Sequence, residues 1–239
     1  MAAAALAAAC LAAGTARGFQ APGRTPAPDY RAIFGARYAD AERFLGEHAW
    51  IVGALELPAA DAHLALAVVF PELIRFGAIQ DEIQMRGLKV LYVLYGRNHG
   101  NFSVGRFQMK PSFAEQVESD YARLFTPRER AAIGIAAFER GDTAALRERR
   151  VRRLEDLAWQ VRYLRLFVLV MGKRYRLASF AGPEDRLRFY ATAYNAGYAG
   201  GEAAIRRKMD RRLFHTALFQ PAETYNYADV ALSYYTSAR

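Results

Sequence analysis

The sequence predicts a mainly α-helical protein, and three observations carry that prediction. Ala, Leu, Arg and Glu, all good helix formers, dominate the 239 residues. Apolar residues recur at spacings of three and four, while strict alternation of the strand kind is scarce. Pro111, Pro127 and Pro183 stand where helices would begin, at positions where a missing backbone N–H does no harm.

The elements follow in order. Asp40 to Leu55 places Phe44, Trp50 and Ile51 at roughly helical spacing. Ala59 to Phe70 is a second helix, with Leu64 and Val68 on one stripe. Asp81 to Tyr95 is a third, with Ile83, Leu91 and Leu94 turned inward. Residues 96–105 (GRNHGNFSVG) form a turn-rich loop with room for short strands. Pro111 opens a helix through Phe113, Val117, Tyr121 and Leu124. Asp142 to Tyr175 reads as one long helix, with Leu154, Leu157, Val161, Leu164 and Val168 along its stripe. Glu202 to Met209 and Glu223 to Ser233 complete the set. Neither an internal repeat nor a second linker interrupts this pattern, so residues 30–239 are expected to form one domain.

The first 29 residues read differently. The Ala/Leu run over residues 2–13 has the length of a signal-peptide core and is too short to span a bilayer. Ala16-Arg17-Gly18 offers a small-x-small cleavage site, so residues 1–18 are expected to be a signal peptide that exports the chain to the periplasm or cell envelope. No Lys or Arg precedes the run, and an Ala-rich tail is the competing reading. Cys10 raises lipidation, but Ala7 stands where a lipobox prefers Leu. Residues 19–29, rich in Pro, Gly and Ala, read as an extended linker.

Composition narrows function. With 53% hydrophobic and 24% charged residues, the chain is neither disordered nor collagen-like. No long apolar run follows the leader, which excludes a multi-span membrane protein and leaves peripheral membrane association open. The net charge of +9 points to an anionic partner: nucleic acid, a membrane surface or an acidic polymer. Cys10 is the single cysteine, so a mature chain would hold neither a disulfide nor a Cys-based metal site. His48, His63, His99 and His215 lack metal-ligand spacing on one helix, and neither a metal nor a cofactor is expected. Nucleophile-elbow and phosphate-loop patterns are missing. Arg147 to Arg153 (RERRVRR) is the densest basic run. It reads as the solvated face of the long helix or as a contact for an anionic polymer, and no nucleic-acid module accompanies it.

One carboxylate breaks an apolar pattern. Leu64, Val68 and Glu72 are each four residues apart, so the core-facing stripe of the second helix runs into Glu72. Burial raises a carboxyl pKa and suits the group to general-acid chemistry. The competing reading has Pro71 start a new helix, with Glu72 a first-turn residue favoured by the dipole. Three further segments bear on this. Gly105-Arg106-Phe107-Gln108-Met109-Lys110-Pro111 leaves a loop and enters a helix. Ala193-Tyr194-Asn195-Ala196-Gly197 ends one. Glu223-Thr224-Tyr225-Asn226-Tyr227, with Val230 three residues on, opens the last.

In that order these segments resemble the soluble lytic transglycosylases, members of the lysozyme-like superfamily that cleave peptidoglycan glycan strands. The resemblance spans Ala59 to Tyr235. It implies a lysozyme-like helical domain with a substrate groove, acting as a monomer on peptidoglycan, with nucleic acid no longer expected as the partner. Three departures mark a divergent branch. Leu73 follows the glutamate where the family has Ser. Gly105-Arg106-Phe107-Gln108 replaces G-L-M-Q. The spacings from Glu72 to Gly105 and from Gln108 to Tyr194 are long, which implies helical insertions near residues 80–100 and 120–180.

The resemblance makes Glu72 the single catalytic residue, first acid and then base, with the substrate's N-acetyl group supplying what a second carboxylate would otherwise provide. Gln108 would orient an N-acetyl group through its amide. Tyr194 and Asn195 would line the groove, with helix-end packing and a Gly197 cap as the structural reading. Tyr227 would set its hydroxyl beside Glu72, with aromatic packing as the alternative. Glu223 matches a family position but reads equally as a first-turn acid and is not assigned a catalytic role. Asp81 or Glu82 would make the enzyme a hydrolytic muramidase if either served as a second carboxylate. They read more simply as the start of the next helix. A non-catalytic module that binds peptidoglycan or another anion is the third reading.

Overall fold

The protein is mainly helical. Its structure, a computed structural model, describes residues 28–76, 82–215 and 223–238, and the side chains of residues 82–86 lie outside that description. The expected signal peptide, most of the linker, and the side chains of Cys10, Asp81, Glu82 and Ile83 therefore lie outside the described residues.

Twelve α-helices are present among the described residues. They are α1 (Tyr30–Phe34), α2 (Ala36–Glu47), α3 (Trp50–Ala54), α4 (Ala59–Phe76), α5 (Glu82–Tyr95), α6 (Pro111–Leu124), α7 (Pro127–Ile133), α8 (Ala144–Glu155), α9 (Leu157–Arg174), α10 (Pro183–Ala196), α11 (Gly201–Arg206) and α12 (Tyr227–Ser237). Two short strands, β1 (Arg212–Phe214) and β2 (Tyr225–Asn226), pair antiparallel ahead of α12. Pro111, Pro127 and Pro183 each occupy the first turn of a helix, as their sequence positions predict.

Helix α4 is the centre. Every residue from Leu64 to Ile74 is buried. A helix that is apolar on all sides belongs inside a protein, and this one packs against α2, α9, α10 and α12. Helices α10 and α12 also pack on each other, so α4, α10 and α12 form a mutually touching trio. Helix α9 joins this trio to a second group, in which α6 and α8 pack on α9 and α5 packs on α8.

Several sequence expectations need correction. Pro71 does not start a new helix: it lies inside α4, which runs on to Phe76. The predicted long helix over 142–175 is two helices. The Asp156 side chain accepts the Trp159 N–H at 3.0 Å with its own backbone extended, a cap that starts α9 and ends α8. The helix predicted over 40–55 breaks at His48, whose ring Nδ1 lies 2.9 Å from the Phe44 carbonyl and competes with the helical ladder. Trp50 lies beyond that break and is exposed.

Leu91 and Leu94 do not face inward. They are 41% and 54% exposed, and Tyr92 is the fully buried residue of that stretch. Hydrogen bonding to Arg150 and Glu115 draws the Tyr92 face of α5 into the protein. Arg147 and Arg150 are likewise not part of a solvated face. Arg147 caps the end of α5 through the Val93 and Leu94 carbonyls at 2.9 and 3.0 Å, and Arg150 grips Glu118 at 2.7 Å. Glu223 is no first-turn acid, because β2 stands between it and α12. It is exposed and accepts the Tyr225 hydroxyl at 2.8 Å.

Candidate active site

The buried trio of helices delivers the candidate residues. Helix α4 carries Glu72, α10 carries Tyr194 and α12 carries Tyr227. Glu72 is only 4% exposed, because its helix has no solvent-facing side at that level. Its Oε2 is buried without a hydrogen-bond partner among the described residues. Arg75, one turn on, holds an ion pair with it at 3.8 Å, close enough for attraction and too far for a hydrogen bond. Burial pushes the Glu72 carboxyl up to about 7. Arg75, Lys110 and the Tyr227 hydroxyl pull in the opposite direction without cancelling it.

Tyr227 lies against this carboxyl but gives its proton elsewhere. Its hydroxyl donates to the Val68 carbonyl at 2.9 Å, one turn before Glu72. The same hydroxyl is within hydrogen-bonding reach of the Glu72 carboxyl, so the carboxyl competes with the Val68 carbonyl for one proton, and Glu72 Oε2 has no hydrogen-bond partner among the described residues. Asn226 sets the position of Tyr227. Its side chain accepts the Asp229 N–H at 3.1 Å to cap α12 and donates to the Met209 carbonyl at 2.6 Å. The Tyr227 and Tyr194 hydroxyls are both raised well above the usual tyrosine value, first by burial and then by the negative charge of Glu72. The three side chains thus share one desolvated patch.

A tight hairpin brings in Gln108. Val104 and Met109 pair backbone to backbone at 2.9 and 3.0 Å, and four residues turn between them. Gln108 has φ +49°, a left-handed conformation that costs a non-glycine residue about 1 kcal/mol. Its Nε2 donates to the Gly105 carbonyl at 2.8 Å, and its amide oxygen has no partner among the described residues. Gly105 has φ +68°, and a Cβ there would stand 1.8 Å from Gln160 Nε2, so only glycine fits.

Two buried groups hold this hairpin. Gln160 accepts the Phe107 N–H at 2.8 Å, and Tyr194 donates its hydroxyl to the Phe107 carbonyl at 2.7 Å. Tyr194 is thus mostly buried and braces the hairpin next to Glu72. Asn195, the next residue, is half-buried, and its side chain bonds nothing among the described residues. Gly197 ends α10 at φ +79°, as its place in the sequence predicts.

Glu118 is a second buried glutamate, and the comparison is informative. Arg150 donates to its Oε2 from two nitrogens at 3.0 and 2.7 Å, Tyr163 donates to Oε1, and Arg153 stands 3.8 Å from Oε1. Every oxygen is engaged, which is how a structural buried charge is accommodated. A cleft of about 740 Å³ adjoins this network, lined by Glu115, Glu118, Arg150 and residues 138–142, and Glu72 is not in its wall. The chemistry nonetheless favours Glu72. The cleft's buried charges are already paired, whereas Glu72 keeps an unmet oxygen and a pKa suited to proton transfer at neutral pH.

Arg75, Lys110 and Gln160 belong to the site beyond the residues the sequence predicts. Arg75 had a signal, lying three residues from Glu72 on the same helix. Gln160 had another, as a polar residue on the stripe of Leu157, Val161 and Leu164. Lys110 had none. The chain matches no protein-family model, no curated protein and no solved structure.

Proposed function

We propose that the protein is an exported peptidoglycan lytic transglycosylase with a divergent lysozyme-like helical domain. One observation carries the reading. Glu72 is a buried carboxyl with one unmet oxygen and a pKa near 7, and the conjunction of its segment with those of Gln108, Tyr194 and Tyr227 underlies the family resemblance. A carboxyl used first as an acid and then as a base works best with its pKa near the working pH.

In this mechanism protonated Glu72 gives its proton to the glycosidic oxygen as the bond from that oxygen to C1 of the N-acetylmuramic acid breaks. The N-acetyl carbonyl of that sugar stabilises the cationic C1. Ionised Glu72 then removes the proton from the sugar's C6 hydroxyl, and O6 attacks C1. A 1,6-anhydro ring forms without consumption of water, and Glu72 ends protonated again. Gln108 offers its unpartnered amide oxygen to the N-acetyl N–H. Arg75 and Lys110 stabilise the carboxylate in the interval when it is ionised.

Digestion of purified peptidoglycan, with the released muropeptides weighed, tests this. Anhydro ends, one water lighter than hydrolysed ends, are expected from wild type and not from Glu72→Gln. Reducing ends alone would make the protein a muramidase. Equal inertness of both forms, with retention on the sacculus, would make it a peptidoglycan-binding module.

A further inference from the structure

Arg106 is an exposed cation held in place by rings instead of by a counter-charge. Its guanidinium lies 4.3 Å from the ring centre of Phe76 and 5.0 Å from that of Phe44. It makes neither an ion pair nor a hydrogen bond to any other described residue. Most exposed arginines are free to move, and stacking between two rings removes much of that freedom while leaving all five N–H donors available.

The location matters. Phe76 is one helical turn beyond Glu72 on α4, so the two side chains point to the same side. Arg106 directly precedes Phe107, whose peptide is pinned by Gln160 and Tyr194, and it lies two residues from Gln108. Lys110, also exposed and without an ion pair among the described residues, acts on Glu72 electrostatically, as does Arg75. When Glu72 is protonated, Arg75, Arg106 and Lys110 give this part of the protein a local surplus of positive charge.

We propose that Arg106 is a specificity-determining residue that selects glycans carrying a carboxylate beside the scissile bond over neutral N-acetylated glycans. Its fork donates two parallel hydrogen bonds to a carboxylate, a geometry a lysine cannot reproduce. The inference rests on the glycan-cleaving reading and adds to it the charge of the substrate. That carboxylate has two possible sources in peptidoglycan, the lactyl group of a peptide-free sugar and the stem peptide of a substituted one.

The test is binding of size-matched ligands to full-length Glu72→Gln protein, which cannot cleave them in this reading. The ligands are a neutral N-acetylglucosamine oligomer, a peptide-free glycan strand and a peptide-bearing strand. Either or both acidic strands are expected to bind more tightly than the neutral oligomer, and whichever does identifies the source. Adding Arg106→Leu should cut that acidic-over-neutral preference roughly tenfold, the value of one charge-assisted bidentate contact. Arg106→Lys should restore only part of it, and thermal melts of all three proteins should agree. A preference unchanged by Arg106→Leu, or no preference at all, overturns the inference. Either result leaves the cleavage reading standing if wild type still releases anhydro ends. Anhydro products that depend on Arg106 equally for neutral and acidic substrates would also overturn it.

Discussion

The Tyr194 hydroxyl donates to the Phe107 carbonyl at 2.7 Å, across 87 residues of sequence. This bond links the end of α10 to the hairpin that carries Gln108, and it does so inside the protein. Together with the bond from the Phe107 N–H to Gln160, it satisfies both polar groups of a buried residue. The hairpin therefore has a fixed position relative to α4, and Glu72 and Gln108 are held in one arrangement.

Tyr194→Phe removes only that hydroxyl and leaves the Phe107 carbonyl buried without its partner. A cost of about 1–3 kcal/mol in stability is expected. Activity on glycan should fall further than the stability loss explains, because the hairpin gains freedom where Gln108 must be placed. Urea unfolding and turnover at a temperature where the variant is fully folded separate the two effects. Full activity in a destabilised variant would show that the bond only supports the fold.

Gly105→Ala tests the same brace from the other side. The added Cβ would overlap Gln160 Nε2 at 1.8 Å and would adopt a backbone angle that disfavours any side chain. Crowding and the left-handed conformation together should cost about 3 kcal/mol. Gln160→Ala alone should also destabilise, since it strips the Phe107 N–H of its acceptor. The double variant should be less damaged than the sum of the two, because removal of Gln160 relieves the side-chain clash, while the Leu154 carbonyl 2.7 Å from the new methyl keeps part of the cost. A double-mutant cycle from denaturation midpoints measures that coupling, and strict additivity would refute the steric account.

The pH dependence of activity follows from the charges around Glu72. The reaction starts from the protonated carboxyl, so kcat/KM should fall as pH rises through about 7. Arg75 favours the ionised form from 3.8 Å. Arg75→Gln removes that attraction, raises the pKa and should move the falling limb to higher pH. Lys110→Gln should move it in the same direction. Displacement of the limb to lower pH in either variant would mean that Glu72 is not the group being titrated.

How much of this was readable beforehand depends on the range of each interaction. Glu72 is only partly legible: the local count puts Leu64, Val68 and Glu72 on one buried stripe, but the same sequence allows Pro71 to start a new helix with Glu72 in its first turn, and only the unbroken course of α4 excludes that. The proline helix starts were legible because they depend on local sequence alone. The break at Asp156 was not, because a single Asp cap competes with an apolar stripe that continues past it. The sequence reads Arg150 as part of a solvated face or an anion contact because its partners, Glu118 and Tyr92, lie 32 and 58 residues away. Leu91 and Leu94 face outward against the periodicity because α5 is oriented by the polar bonds of Tyr92 and not by its apolar stripe. Gln160 and Tyr194 act on a backbone peptide, and a sequence does not show which peptide a distant side chain will reach.

The stability of the protein should also report on Glu72. Its carboxyl titrates near 7 in the folded chain and near the ordinary value of 4.5 when unfolded. Below about pH 4.5 the group is protonated in both states and contributes no difference. Between 4.5 and 7 the folded protein retains a proton that the unfolded chain has released, so stability falls as pH rises. Above 7 the group is ionised in both states and the loss is complete, at about 3 kcal/mol. Glu72→Gln removes the ionisation and nothing else that titrates. The stability of the variant relative to wild type should therefore increase by about 3 kcal/mol between pH 4 and pH 8, measured from urea midpoints at matched ionic strength. Other titrating groups cancel in that difference. A difference that stays flat across the range would mean that Glu72 ionises near its ordinary value, and the buried carboxyl would lose its standing as an acid for neutral pH. The predicted slope has a functional corollary: the carboxylate that destabilises the fold above pH 7 is the same group that must give up a proton to the glycan, so the Gln variant should gain stability as it loses turnover.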